Sequence, residues 1–232
     1  MSFGTPHRHF RSVDSTNTRA RELAAAGAPG GTVVTASEQS AGRGRQGRTW
    51  TAPPAKALLY SAILRPLDQR HLLLPLAVPL AVCAAAEELQ PEVECGVKWP
   101  NDVWVEGRKL AGVLIEARPQ DGWAVIGVGL NLAIARGEFP PELRETAISL
   151  SSVDIGAATV ALNKRLDEWV EASEEKVLAG WRERDTLRGR EIAWEGGSGV
   201  ADGIDDRGYL VVASAGGGSV VLGAGEVHLT RI

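Results

Sequence analysis

The chain has 232 residues, 44% hydrophobic and 23% charged, enough for one large domain or for a large and a small one. A formal net charge of −4 excludes the global basic field that draws nucleic acid, so any anion recognition has to be local. The longest apolar run, Leu72–Ala86, is interrupted by Pro75 and Pro79 and falls short of the ~20 residues that span a bilayer, so no membrane span is expected.

Cys83 and Cys95 are the only cysteines. Two thiols, one of them inside an apolar run, suit a reducing compartment better than a disulfide framework. The opening MSFGTPHRHFRS has no apolar h-region, so no secretory signal and a cytoplasmic location are expected.

In chain order, His9–Val13 alternates and predicts a short strand. Asp14, Ser15 and Thr16 then offer cap oxygens for a helix carrying Ala20, Leu23 and Ala24 on one face and ending at Gly27. Thr32–Ala36 predicts a β-branched strand, 40–48 a Gly/Arg loop and Ala57–Leu64 another strand. Leu72–Leu89 is apolar on every side and predicts a buried helix, with its prolines tolerated if it begins near Pro75. Strands are expected at Gly96–Trp99, Ala111–Ala117 and Trp123–Leu130. A helix over Ala157–Asp185 would place Leu162, Leu166, Trp169, Val170, Val177, Leu178 and Trp181 in the core.

The pattern changes after Asp185. Glu191–Trp194, Val200–Ile204, Tyr209–Ala213, Val220–Leu222 and Val227–Thr230 predict five short strands between Gly-rich or Asp-rich turns, the pattern of a small barrel. Two domains are therefore expected, 1–185 and 186–232.

Gly42-Arg43-Gly44-Arg45-Gln46-Gly47-Arg48 contains the dinucleotide-binding spacing G-x-G-x-x-G. That fingerprint requires a helix directly after it, whereas Thr49-Trp50-Thr51-Ala52-Pro53-Pro54 leads into a strand. What remains is three arginines interleaved with glycine. Their guanidinium forks match carboxylate and phosphate, and the glycines let backbone amides approach the same anions. A solvated basic loop, or one that touches RNA, is the plainer alternative.

Lys98-Trp99-Pro100-Asn101-Asp102 precedes Lys109-Leu110-Ala111-Gly112-Val113-Leu114-Ile115-Glu116. Two of the chain's five lysines fall here, against twenty arginines overall, which suggests that a compact ammonium is wanted. Trp99-Pro100 should hold the chain extended at a strand end, where open α/β sheets keep their site residues, and Asp102 is a candidate Mg²⁺ ligand. Pro-Asn-Asp also makes an ordinary turn. Gly127 and Gly129, inside an apolar strand that ends at Asn131, suggest either close approach of a ligand or another element, or a bulged core strand. His7, His9 and His228 lean structural. No Ser-His-Asp set with a nucleophile elbow and no zinc-type cysteine pair is present.

In this order the segments Asp14–Asn17, Gln39 with Gly42–Trp50, Lys98–Asp102, Lys109–Gly112 and Gly127–Asn131 resemble the motif series of biotin–protein ligases. The resemblance runs from about residue 8 to the end and is strongest between Asp14 and Leu132. It implies an α/β (α+β) catalytic domain of the biotin/lipoate ligase type followed by a small SH3-like β-barrel. Its implied activity is ATP-dependent: biotin is activated as biotinyl-5′-AMP and passed to a lysine of a biotin carboxyl carrier protein, with Mg²⁺ accompanying ATP.

The resemblance also implies roles. Ser15, Thr16, Asn17, Gln39, Gly42, Arg43, Gly44, Arg45, Lys109 and Gly112 would bind biotin. Arg43, Arg45, Arg48, Trp50, Lys98, Trp99, Asn101, Lys109 and Asn131 would bind ATP. Lys109, Arg45 and Asp102 would carry the chemistry, with Asp102 towards Mg²⁺. Some relatives carry an N-terminal DNA-binding domain; here the Ser-Thr-Asn motif begins at Ser15, and a ligase alone is expected. A lipoate or octanoate ligase or transferase, and a non-catalytic biotin sensor, are the competing readings. Whether the chain is a monomer or a homodimer stays open.

Overall fold

The computed structural model describes residues 2–214 and 216–230. Its larger sheet has seven strands in the order β1-β2-β3-β7-β6-β5-β4. They are β1 His7–Phe10, β2 Val33–Ala36, β3 Ala57–Leu64, β4 Gly96–Lys98, β5 Asp102–Val105, β6 Arg108–Arg118 and β7 Trp123–Asn131. Only the β1–β2 pair is parallel and every other neighbouring pair is antiparallel. The fold is therefore mixed α/β, but its sheet is not the open parallel kind.

Strand alternation separates two faces of this sheet. Leu58, Tyr60, Ala62 and Leu64 of β3, with Ala124, Ile126, Val128 and Leu130 of β7, join the main core. That core lies under α2 (Leu74–Leu89), α3 (Ile155–Val170) and α4 (Glu174–Glu183). Ile63 and Val125 face the other way, beneath α1 (Thr16–Ala25). The functional groups collect on this second face.

Several expectations need correction. The first strand lies at His7–Phe10 rather than His9–Val13. Ser15 occupies the N-cap of α1 without a side-chain cap bond, and Asp14 pairs with Arg19 at 2.8 Å. The single helix expected over Ala157–Asp185 is two. Glu171 and Ala172 interrupt it, and Ser173 restarts the chain by accepting from the Lys176 amide at 3.2 Å. Six of its seven predicted core residues are buried, with Trp169 only partly so.

Trp99-Pro100 is not an extended strand end. Its peptide bond is cis, and Lys98 pairs with Asp102 across a hairpin into β5, a strand the sequence did not announce.

After Asp185 the chain builds a second, wholly antiparallel sheet, β11-β10-β9-β8-β12, from β8 Glu191–Trp194, β9 Gly197–Ile204, β10 Leu210–Ser214, β11 Ser219–Leu222 and β12 Val227–Leu229. The two sheets are tied where Arg184 and Thr186 bond the backbone of Val97 and where the Trp99 indole donates to the Gly208 carbonyl at 3.1 Å.

Candidate active site

The Gly/Arg loop is a short ribbon rather than an open coil. Trp50 donates to the Gly42 carbonyl at 3.0 Å, and Gly44 to that of Arg48 at 2.7 Å. Gln46 and Gly47 close the far end with φ of 52° and 76°. No helix follows, which agrees with rejection of the dinucleotide reading.

Beneath the ribbon the sheet is paved with glycine. A Cβ on Gly129 would stand 2.3 Å from Trp50 Cε2, and one on Gly127 would stand 2.1 Å from Asn17 Oδ1. The close approach expected at these glycines is thus made by an indole and a carboxamide of the chain itself. Between ribbon and sheet lies a cavity of about 130 Å³.

One end of the cavity is neutral and polar. Ser15, Thr16, Asn17 and Gln39 line it, and their hydrogen bonds are already arranged. Gln39 Oε1 accepts from the Thr16 amide at 2.7 Å and from its hydroxyl at 3.1 Å, while Ser61 Oγ stands 2.8 Å from Thr16 Oγ1 and 2.6 Å from Asn17 Oδ1.

The other side is cationic. Arg45, Arg48, Lys98 and Lys109 line it around two carboxylates, Asp102 and Glu226, while Arg43 also lines the cavity but is bonded to Glu116 beside Asn17. Lys109 Nζ stands 2.7 Å from Asp102 Oδ1 and 5.8 Å from the centre of a Trp50 ring. Arg45 donates to Asn101 Oδ1 at 3.0 Å and to the Gly225 carbonyl at 3.3 Å. Burial lowers its pKa, partly opposed by Asp102 and Glu226. Lys98 is buried, 5.2 Å from the centre of the Trp104 ring, and burial depresses its pKa too, again opposed by the same two carboxylates.

A β-bulge aims Lys109. Val103 pairs with Ala111 while the next residue, Trp104, pairs with Lys109, so Leu110 is the extra residue. Leu110 and Ala111 both turn into the core, and Lys109 therefore shares the cavity face with Gly112, whose added Cβ would lie 3.3 Å from Lys109 Nζ. A regular strand would have sent Lys109 to the opposite face.

Most predicted site residues therefore line one cavity. Gly42 and Asn131 do not. Gly42 forms the neck of the ribbon, and Asn131 is buried and donates to the Ile148 carbonyl at 2.9 Å. Sequence reasoning missed Ser61, Glu116 and the Gly225-Glu226 pair. Glu226 closes an ion pair with Arg48, bringing the second sheet to the cavity. Strand parity with Ile63 could have flagged Ser61, and parity with Gly112 could have flagged Glu116, the last residue of the Lys109–Glu116 segment; nothing local marks Gly225 or Glu226.

The chain belongs to the Biotin/lipoate A/B protein ligase family, whose sequence model matches residues 9–132. It is 37% identical to the biotin–[acetyl-CoA-carboxylase] ligase of Mycobacterium tuberculosis, over 97% of this chain and 91% of that protein. Identity to the Paracoccus denitrificans ligase of the same name is 31%, over 90% of this chain and 95% of that one. The structure of the Aquifex aeolicus biotin protein ligase in complex with biotin and ATP superposes with a TM-score of 0.85 at 28% identity, covering 98% of this chain and 100% of that one.

Proposed function

We propose that this chain is an ATP-dependent biotin–protein ligase, which forms biotinyl-5′-AMP and transfers biotin to a lysine of a biotin carboxyl carrier protein. The observation that carries this reading is the polarity of the cavity. Five cationic side chains line it in a chain of net charge −4, four of them around Asp102 and Glu226, and the neutral, hydrogen-bonding Ser15, Thr16, Asn17 and Gln39 line the same cavity.

A carboxylate and a polyphosphate repel each other, and both must be held together before they can react. Arg43, Arg45 and Lys109 supply the neutralising charge, and their confinement supplies the orientation. The biotin carboxylate attacks the α-phosphorus of ATP, the bond to the β-phosphate breaks and pyrophosphate leaves. The amine of the carrier lysine then attacks the acyl carbon, and AMP departs. At the neutral end, Thr16, Asn17 and Gln39 bind the ureido ring, whose buried polar groups would each cost about 1–3 kcal/mol if left unpaired. The ribbon over the cavity keeps water from the mixed anhydride.

No group of three or more His, Cys, Asp or Glu gathers among the described residues to hold a metal by itself. Asp102 and Glu226 are the carboxylates at the cationic end, which fits Mg²⁺ arriving with the nucleotide and held by one or two carboxylates besides phosphate. When bound, Mg²⁺ would offset phosphate charge; Asp102 is its first candidate ligand. Residues 1–185 would form the catalytic domain and 186–232 an SH3-like barrel that contributes Gly225 and Glu226 to the wall. No helix among the described residues is long and apolar enough to cross a membrane, and both cysteines are free, which supports a cytoplasmic location.

The test is direct. With ATP, Mg²⁺, biotin and a biotin-carrier domain, the carrier should gain the mass of one biotin. Pyrophosphate exchange driven by lipoate and not by biotin would transfer the reading to the other branch of the family. Failure of exchange with both would leave a non-catalytic binder.

A further inference from the structure

We infer that Glu116 is a positioning residue for ligation, joining Arg43 of the ribbon to Asn17 of the cavity floor so that the ribbon is set over the floor. The inference rests on the ligase reading of the cavity.

Glu116 stands on β6 two strand steps beyond Gly112 and so on the same face of the sheet. Its carboxylate accepts from Arg43 Nη1 at 3.0 and 3.1 Å, from Asn17 Nδ2 at 3.0 Å and from Arg21 Nη1 at 3.4 Å. The three donors come from two elements, the ribbon and α1, that are not adjacent in sequence. Its side chain is 20% exposed, against 41% for Arg43. The other ribbon arginines are anchored elsewhere, Arg45 on Asn101 and Gly225 and Arg48 on Glu226. Glu116 is the carboxylate that fixes Arg43.

The same carboxylate, helped by the Leu114 carbonyl 3.5 Å from Asn17 Nδ2, sets the sense of the floor. An ionised carboxylate only accepts, so the edge of the Asn17 amide facing it must be the NH₂ group. Asn17 Oδ1 is then left to accept from Ser61 Oγ. A directed chain of hydrogen bonds thus runs from Arg43 and Asn17 into Glu116 and from Ser61 into Asn17, anchored by a group that cannot reverse its role. A glutamine at 116 keeps the shape but presents both donor and acceptor edges. The Asn17 amide is then held in its present sense only by the longer 3.5 Å bond to the Leu114 carbonyl, and Arg43 loses its counter-charge.

The experiment measures steady-state kinetics of adenylate formation and melting temperature for Glu116→Gln, Glu116→Asp, Arg43→Ala and Arg43→Ala/Glu116→Gln. In Glu116→Gln the KM for biotin should rise about tenfold with kcat changed less than about twofold, the scale of losing a charged acceptor. Glu116→Asp, still an acceptor only, should keep KM clearly below that of the glutamine variant even if both melt earlier. In the Arg43→Ala background the penalty of Glu116→Gln should shrink, as expected for directly bonded residues. Unchanged KM in Glu116→Gln, equal loss in the Asp and Gln variants, or simple additivity with Arg43→Ala would each overturn the inference and leave the ligase reading intact. A wild-type protein that forms no adenylate would overturn both.

Discussion

Lys109 Nζ and Asp102 Oδ1 are 2.7 Å apart across β5 and β6, and the bulge at Leu110 puts them on the cavity side. The pair is partly exposed, at 36% and 20%, so it adds little to stability, about 0–1 kcal/mol for exposed pairs. On the proposed ligase reading, its value lies in a charge held where an anion arrives. Lys109→Gln should slow biotin-dependent pyrophosphate exchange about 10²–10³-fold, the usual effect of deleting one preorganised group that stabilises developing charge. Its melting temperature should barely move. A loss below about tenfold would assign the neutralising role to another cation of the cavity.

Arg45 spans the cavity from Asn101 to the Gly225 carbonyl. Arg45→Ala should release bound biotinyl-5′-AMP faster while leaving the fold intact. Adenylate dissociation and thermal melting check this together. An unchanged off-rate refutes the retaining role, and a large fall in melting temperature would mark the residue as structural.

Gly129 gives its missing side chain's space to Trp50, since an added Cβ would lie 2.3 Å from Cε2. Gly129→Ala should displace the indole, destabilise the protein by about 1–3 kcal/mol as an overpacked site and raise the KM for ATP. Gly137→Ala serves as control, because a Cβ added there would meet nothing within 4 Å. Denaturant melts and ATP titrations of both variants decide it, and similar behaviour of the two would remove Trp50 from the nucleotide wall.

Burial beside Trp104 holds Lys98 below its ordinary pKa of 10.5. A lysine with a folded pKa below its unfolded value binds its proton more weakly when folded. It therefore costs stability at neutral pH, and that cost fades as pH rises through the folded pKa towards 10.5. Lys98→Met should melt higher than wild type at pH 7, with the gap narrowing at alkaline pH, while nucleotide binding weakens. An equal or lower melting temperature at pH 7 would show that Asp102, Glu226 and the indole together repay the burial.

Regular elements with a clear period were legible. The strand Ala57–Leu64 is found with the expected ends, and the five short strands after Asp185 all form. β5 was not legible, since four residues after a Pro-Asn turn carry too little pattern to separate from the turn itself. The break between α3 and α4 was missed because the apolar spacing runs through it and only the Ser173 cap marks the restart.

Within the site, the order of the motifs along the chain, by its resemblance to the biotin–protein ligase series, named the chemistry, whereas the residue types alone left a basic loop and an ordinary turn as equal readings. Their aim was decided in three dimensions. A one-residue bulge turned Lys109 to the cavity, since strand parity reverses with each residue. Glu116 reached Arg43 from 73 positions away and Glu226 reached Arg48 from 178, contacts that no local pattern encodes because only packing of the sheets brings those backbones together.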